Sequence, residues 1–222
     1  MKIAIALAAV FLMAGCGTLE DMRAAGQRRA INKQKQAERE LAASEHALYR
    51  SLANWRKNTY RNKALLAKAT PDNTSIKISL PEQRGCLYVE GALAMDFPVA
   101  TGKKSHPTPV GDFTILAKEK DYASNLYGKI YDATGTVIVS DADSRTDAEP
   151  EGGYFVGAQM PYWMRLTQDG VGLHVGYVPG RPASHGCIRL KNDVAREIFA
   201  ITKVGTPVSI VNEPLVPTKS EG

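Results

Sequence analysis

The chain has 222 residues, 44% of them hydrophobic, which is enough for one sizeable core with appendages and excludes a second domain of full size. Its net charge of +5 is unevenly distributed. Residues 21–70 hold twelve Lys and Arg against four Asp and Glu, whereas residues 71–222 hold fifteen against eighteen. The composition therefore predicts a basic N-terminal segment, a boundary near residue 70 and a slightly acidic domain after it.

The N-terminus has the pattern of a bacterial export signal, which we assign to residues 1–15. One Lys precedes the apolar run from Ile3 to Ala14, which is too short to cross a bilayer of roughly 30 Å. The end of this run, up to Cys16, resembles a lipobox, in which the Cys is diacylated and becomes the mature N-terminus. Because Gly17 follows rather than Asp, we expect an anchor in the outer membrane, facing the periplasm. The alternative is an ordinary signal peptide that happens to end near a Cys.

Residues 16–70 are predicted to form a lipid-anchored helical stalk. The segment has no Pro between Cys16 and Thr70 and is rich in residues that favour helices. An apolar stripe recurs along it at helical spacing, at Leu41, Leu48, Leu52, Trp55 and Leu66. We expect this stripe to pack on the catalytic domain or on a partner helix. The alternative is that the basic face of the helix lies along anionic lipid or wall polymer.

A second pattern begins at Pro71 and predicts a β-rich domain over residues 71–213, with a loose tail at 214–222. Asp169-Gly170 is a strong hairpin signal, and one helix is predicted from a cap at Asn192 to a point before Gly205. Strands are predicted at residues 75–80, 86–89, 93–100, 113–116, 136–139, 162–167, 171–175 and 206–211. The acidic run 141–149 lacks the ligand pattern and glycine of a calcium loop, so a solvated loop at the rim of the active site is expected there.

Residues 172–190 carry the chemistry. They hold one thiol and two imidazoles, in a chain that has only four His. A free thiol is mostly protonated at neutral pH, so Cys187 needs a base to become a nucleophile, and His174 is the candidate. We expect a β-hairpin, turning within residues 176–182, to bring the two side chains together. The glycine at 186 leaves amides free to bind an oxyanion, which is the geometry of acyl transfer.

Three other interpretations of these side chains remain open. Cys187 and His174 are compatible with an ordinary buried core. Zinc binding by His185 and Cys187, joined by His174 or His106, lacks the ligand spacing of established sites. An exported protein can also pair its free thiols, so a bridge between Cys86 and Cys187 is a further alternative, although Cys86 sits in an apolar run typical of a buried thiol.

The run Ser184-His185-Gly186-Cys187-Ile188-Arg189, preceded by His174, resembles the signature of the YkuD-type L,D-transpeptidases. The resemblance covers most of residues 75–212. It includes Thr108-Pro109-Val110-Gly111-Asp112-Phe113, similar to a turn and strand of that family, and the final stretch 205–208. It implies a mainly β fold, a mixed sandwich or barrel-like catalytic domain with one main helix, preceded here by the N-terminal α-helical segment.

The resemblance also implies a reaction. Cys187 attacks the carbonyl between the L-centre of diaminopimelate and the terminal D-Ala of a peptidoglycan tetrapeptide stem, releasing D-Ala and leaving a thioester. An amine then takes the acyl group, either from another stem, giving a three-to-three cross-link, or from a wall-anchored protein. His174 is the base, oriented by the carbonyl of Val175.

The remaining site residues follow from the same resemblance. The amides of Gly186 and Cys187 are the expected oxyanion donors, and Arg189 is a candidate carboxylate partner. The substrate side of the site is completed by Ser184, His185, Gly186 and Arg189. Neither a cofactor, a metal nor a nucleic acid is required, and the expected partners are peptidoglycan stem peptides and the outer-membrane lipid reached through Cys16.

Two competing functions use the same chain differently. A hydrolase of the same fold would pass the thioester to water and act as an L,D-carboxypeptidase or endopeptidase. A non-catalytic lipoprotein would use the helical stalk to tether the wall to the membrane, and it would leave Cys187 unreactive.

Overall fold

A computed structural model describes residues 16–215 of the protein, with side chains from residue 19 onward. The predicted signal peptide at 1–15, the side chain of the predicted lipidation site Cys16 and most of the predicted tail, residues 216–222, lie outside the described residues.

The described residues form a mainly β fold with a long N-terminal helix, as the sequence predicts. The helices are α1 (Cys16–Arg50), α2 (Lys63–Leu66) and α3 (Asn192–Ile201), with a 3-10 turn at Trp55–Lys57. The strands are β1 (Tyr60–Arg61), β2 (Thr74–Ser79), β3 (Arg84–Val89), β4 (Ala92–Ala100), β5 (Gly111–Thr114), β6 (Ala117–Glu119), β7 (Ala123–Tyr131), β8 (Val137–Asp143), β9 (Tyr154–Gln159), β10 (Trp163–Arg165), β11 (Gly172–Val175), β12 (Ile188–Leu190) and β13 (Pro207–Val211).

Ten strands form one curled sheet in the order β5-β13-β2-β3-β4-β12-β11-β10-β6, with β1 beside β4. Strand β4 joins the two halves of this sheet, because its first part pairs with β3 and its end, at Val99 and Ala100, pairs with β12. The concave side holds one apolar core, to which α3 contributes Val194, Ala195 and Ile198. The helix begins one residue earlier than predicted, because Asn192 is its first residue rather than its cap, and Lys191 occupies the capping position.

The connection between β11 and β12 differs from the predicted hairpin. The two strands pair in parallel, with Leu173 opposite Ile188 and His174 opposite Arg189. A parallel pair needs a crossover rather than a tight turn, so residues 176–187 leave β11, cross the end of the sheet and return. The hairpin predicted at Gly170 is confirmed, because β10 and β11 pair antiparallel on either side of it.

A second sheet has three strands in the order β8-β7-β9, and the sequence predicted only part of one of them. Its buried apolar side chains are few, chiefly Ile130 and Ala142, and β7 is broken by register shifts. Without a large core face it lacks the alternating pattern from which strands are predicted. Strand β8 also runs through Asp141 and Asp143, which were expected to lie in a loop.

Helix α1 packs on the main sheet through a mixed face, in which Ala42 joins an apolar cluster with Val89, Ala92 and Ala94 beside polar side chains, and not through Leu41 and Leu48 of the predicted stripe. Leu41 and Leu48 are 61% and 70% exposed, whereas Ala42 and His46 are 2% and 4% exposed. His46 Nε2 lies 2.6 Å from an oxygen of Asp96, a fully buried carboxylate of β4. The α1 part of the predicted stripe is therefore wrong as a packing face, because it lies on the opposite side of the helix, whereas Leu66, the last residue of the stripe, lies in α2 and packs against the core as predicted.

Two Arg side chains complete the environment of this buried carboxylate. Arg50 of α1 and Arg84 of β3 donate to Asp96 at 2.9 and 2.7 Å. A charge removed from water is retained only where such partners surround it, and burial alone would raise the pKa of Asp96. His46 and the two guanidinium groups outweigh burial and hold that pKa below its usual value. No helix among the described residues is long and apolar enough to cross a membrane.

Candidate active site

A cleft of about 740 Å³ lies between the crossover 176–187 and the three-stranded sheet. The alternation of β11 and β12 decides which side chains face it. Leu173 and Ile188 are fully buried in the core, so their neighbours His174, Cys187 and Arg189 point to the other side, into the cleft. The structure thus brings the predicted nucleophile, the predicted base and the predicted carboxylate partner to one surface.

The hydrogen bond made by His174 fixes its tautomer. Nδ1 lies 2.8 Å from the carbonyl oxygen of Val175, as the family resemblance implied. Because a carbonyl oxygen only accepts, Nδ1 carries the hydrogen, and Nε2 of the neutral ring is left as an acceptor. The ring is 6% exposed, with Trp163 at 5.9 Å between ring centroids and Tyr122 stacked on that Trp.

Burial sets the charge of the imidazole. It lowers the pKa of His174 to about 4, against the opposing effect of the Val175 carbonyl and with a smaller contribution from Arg189 in the same direction. The ring is therefore neutral at neutral pH, and Nε2 is ready to accept a proton.

Cys187 precedes β12 directly, and its sulfur lies 3.7 Å from the carbonyl oxygen of Gly170. Burial raises the pKa of the thiol, although the Gly172 amide and Arg189 favour the thiolate. The resting sulfur is therefore a neutral thiol. Cys187 and Cys86 are both free, so no bridge joins them.

The loop before the nucleophile is held by a short chain of hydrogen bonds. Ser184 Oγ donates to the carbonyl of Cys187 and accepts from the amide of Gly186 at 3.2 Å. Thr108 Oγ1 donates to the Gly186 carbonyl at 2.7 Å, and Gly186 has a φ of +111°, which favours glycine. The Gly186 amide, one of the two expected oxyanion donors, is thus engaged by Ser184 in this structure.

His185 connects the loop to the three-stranded sheet. The His185 ring stacks on Tyr127 of β7 with 4.4 Å between ring centroids. The ring of His106 meets the His185 ring edge-on, with 4.7 Å between centroids. His185 Nε2 lies 3.4 Å from Asp141 of β8. The three-stranded sheet, of which the sequence predicted only part of β8, therefore forms the wall opposite the nucleophile.

Several cleft residues were not identified from the sequence as functional. Tyr127 and Arg145 lie far from the motif along the chain, and Asp169, five residues before His174, was identified only as a turn residue; their position on the cleft reveals all three. Thr108 did carry a signal, because it stands in the second stretch that resembles the family. Within the described residues, no group of three or more His, Cys, Asp and Glu side chains is arranged to hold a metal ion.

Comparison with known families identifies the domain that carries this cleft. The family model YkuD, described as the L,D-transpeptidase catalytic domain, matches residues 73–210. The chain belongs to this family. The matched range begins just before β2 and ends within β13, so it includes the cleft, the three-stranded sheet and the main sheet except β1, and it leaves α1 outside.

Individual relatives are similar over part of the chain. L,D-transpeptidase 1 of Mycobacterium tuberculosis is 33% identical in an alignment over 132 residues that covers 54% of this chain and 43% of that protein. The chain thus spans less than half the length of this relative. A solved L,D-transpeptidase from Mycobacterium smegmatis is 25% identical, covering 63% of this chain and 58% of that chain with a TM-score of 0.48. The crystal structure of the M. tuberculosis L,D-transpeptidase 1 is 28% identical to this chain. The match covers 62% of this chain and 61% of that chain, with a TM-score of 0.45.

Proposed function

We propose that the protein is a cysteine L,D-transpeptidase that acts on peptidoglycan tetrapeptide stems. The observation that carries the proposal is the bond from His174 Nδ1 to the Val175 carbonyl, which leaves Nε2 free as a base on the cleft face that also holds Cys187. Family membership supports the reaction class, and the volume of the cleft is in the range of established ligand sites.

Acylation starts from a neutral thiol and a neutral imidazole. As the sulfur of Cys187 attacks the carbonyl between the L-centre of diaminopimelate and D-Ala, His174 Nε2 takes the thiol proton. The same proton passes to the leaving nitrogen, the C–N bond breaks and D-Ala departs. The acyl group remains on the sulfur as a thioester. Since both groups start uncharged, proton transfer accompanies attack rather than preceding it.

Two groups are proposed to stabilise charge in this step. The Cys187 amide is the candidate oxyanion donor, because Ser184 engages the amide of Gly186. Arg189 lines the same face, and its positive charge lowers the pKa of both His174 and Cys187. It is therefore placed to bind a substrate carboxylate, which is the contact that a guanidinium group makes best.

The test is D-Ala release from a defined tetrapeptide muropeptide, followed by mass spectrometry of the products. We expect the wild-type protein to release D-Ala and to form cross-linked dimers, and Cys187→Ala to lose at least about a thousandfold in rate. Undiminished release by Cys187→Ala would overturn the proposal. Shortened stems without dimers would instead assign the thioester to water, as in an L,D-carboxypeptidase.

We propose further that lipid on Cys16 holds the protein at the periplasmic face of the outer membrane. Helix α1 has 35 residues, roughly 50 Å, and residues 19–37 of it are exposed, which suits a spacer between membrane and catalytic domain. Mass spectrometry of the mature N-terminus should find a diacylated Cys. Cys16→Ala should move the protein from the membrane fraction to the soluble fraction, and wild-type protein in the soluble fraction would contradict the anchor.

A further inference from the structure

Asp169 stands at the rim of the cleft, beside the nucleophile. It lies in the turn between β10 and β11, and the carbonyl of the next residue, Gly170, is the group that lies 3.7 Å from Cys187 Sγ. The Asp169 side chain is exposed, and its negative charge raises the pKa of the Cys187 thiol. A carboxylate therefore acts on the atom that will carry the acyl group.

This carboxylate differs from the other acidic side chain of the cleft. Only Asp141 and Asp169 supply carboxylates to the lining among the described residues. Asp141 is occupied by Lys103 at 3.3 Å and by His185 at 3.4 Å. In residues 19–215 no Lys, Arg or His nitrogen lies within 4.0 Å of the Asp169 carboxylate. Asp169 is thus the cleft carboxylate that remains available to a cation from outside.

The turn by itself does not require this charge. Gly170 supplies the φ of +94°, and the hydrogen bonds that close the turn join Leu166 and Thr167 to Gly170 and Val171 without using the Asp169 carboxylate. A negative charge beside a catalytic thiol also disfavours the thiolate, so it does not assist the nucleophile. A role in binding a positively charged substrate group accounts for both the charge and its position.

We propose that Asp169 binds the protonated amine of the acyl acceptor and holds it beside the thioester on Cys187. The inference rests on the proposed transpeptidase function. A primary amine with a pKa near 10 arrives as an ammonium ion at neutral pH, and an exposed carboxylate is the complementary group. The Lys and Arg side chains of the same cleft, Lys129, Arg145 and Arg189, would repel this ammonium, which leaves the Asp169 side of the cleft for it.

The transfer step that follows balances without any further reactant. The bound ammonium first loses one proton to solvent, and the free amine attacks the thioester carbon while His174 Nε2 takes a second proton from the nitrogen. The C–N bond forms as the C–S bond breaks, and the departing thiolate of Cys187 takes that proton from the imidazolium. The nitrogen keeps one hydrogen in the amide. Asp169 takes part only in binding.

The experiment separates binding of the acceptor from acylation by the donor. The donor is a tetrapeptide stem whose side-chain amine is acetylated, so that it cannot accept, and the acceptor is a tripeptide stem with a free side-chain amine. For Asp169→Asn we expect the acceptor KM to rise about three- to tenfold, with turnover at saturating acceptor unchanged. D-Ala release without acceptor should be equal to the wild-type rate or faster, because the thiol pKa falls when the charge is removed.

Two further variants complete the design. Asp169→Glu keeps the charge and should restore the acceptor KM to within about twofold of wild type. Asp112→Asn makes the same charge change on β5, away from the cleft, and should leave the acceptor KM unaltered. An acceptor KM in Asp169→Asn equal to that of the wild type would overturn the inference while the transpeptidase function stands. If the wild-type protein releases no D-Ala from this donor, the proposed function itself fails.

Discussion

At the scale of single residues, burial holds both reacting groups neutral. It lowers the pKa of His174 and raises that of the Cys187 thiol, so the resting site is not the thiolate–imidazolium pair that many cysteine enzymes use. An uncharged pair avoids the cost of placing two ions in a poorly solvated wall. The activity should therefore extend to lower pH than an ordinary histidine base allows.

The pH dependence of acylation tests this directly. Protonation of His174 Nε2 removes the base, and the pKa of about 4 places that event well below the ordinary value of 6.5. We expect kcat/KM for D-Ala release to stay level from pH 7 to about pH 5 and to fall as the pH drops through about 4. An acidic limb near pH 6.5 would contradict the assignment of the buried imidazole as a neutral base.

Thiol alkylation supplies an independent check on the other partner. The rate constant for iodoacetamide at Cys187 should rise with pH through a pKa higher than that of the same thiol in urea, because burial disfavours the thiolate only in the folded protein. A folded-state pKa below the urea value would show that the site holds a thiolate.

The motif made these residues predictable, and its limits are physical. Cys187, His174 and Ser184 lie within a short run that combines a thiol, two imidazoles and several glycines. Because this combination is seldom needed for packing alone, one sequence is enough to find these residues. Asp169 appears there only as a turn residue, because a charge becomes meaningful when the fold places it beside a sulfur. Likewise, the sequence around the motif does not predict that the Gly186 amide donates a hydrogen bond to Ser184 Oγ.

At the scale of elements, the least predictable feature is the face that α1 turns to the domain. The apolar stripe through Leu41 and Leu48 predicted that this face of the helix packs on the domain, whereas the structure buries the opposite face, with Ala42 and His46. The reason is the buried carboxylate of Asp96, which requires His46 and Arg50 as partners. A helix with two different faces cannot be oriented from periodicity alone when its partner surface is charged.

A pair of substitutions on α1 measures which face packs. His46→Ala removes a buried partner of Asp96, and we expect it to lower the free energy of unfolding by about 1–3 kcal/mol. Leu48→Ala, on the exposed side, should change it by less than about 0.5 kcal/mol. Urea denaturation of both variants decides the question, and a larger loss in Leu48→Ala would restore the stripe as the packing face.

The three-stranded sheet is the other element that the sequence largely missed, since only part of β8 was predicted. It meets the nucleophile loop through the stacked rings of Tyr127 and His185, and the Tyr127 hydroxyl also accepts from Arg145 at 2.8 Å. Such a contact between aromatic rings contributes about 0.5–1.5 kcal/mol beyond the buried area. The sheet is therefore fastened to the site by few contacts.

Removal of the ring should loosen this sheet without destroying the fold. For Tyr127→Ala we expect faster amide exchange in β7 and a donor KM raised about three- to tenfold, because the cleft loses its opposing wall. Tyr127→Phe keeps the stacking and should resemble the wild type. Tyr154→Ala, which removes an exposed ring of the same sheet away from the loop, is the control. Equal effects of Tyr127→Ala and Tyr154→Ala would show that the stack has no special role.

At the scale of the whole molecule, the cleft exists because two sheets of different kinds meet. The curled sheet has a large apolar core, so most of its strands carry a hydrophobic pattern from which they could be predicted. Its parallel β11–β12 pair places the two reacting side chains on one face. The smaller sheet has little core, so only part of β8 showed a strand pattern in the sequence. The order of connections, including the crossover that replaced the expected hairpin, depends on pairing between distant segments and lies beyond a local reading of the chain.

The proposal that all of this geometry serves acyl transfer through Cys187 can be tested in one measurement. Intact-protein and peptide mass spectrometry, after rapid acid quench of the protein mixed with a tetrapeptide donor, should show one acyl group, the donor less D-Ala, on the peptide that contains Cys187. Adduct and released D-Ala should appear in equal amounts in the first turnover. Release of D-Ala with no adduct on Cys187, or an adduct on another residue, would contradict the account.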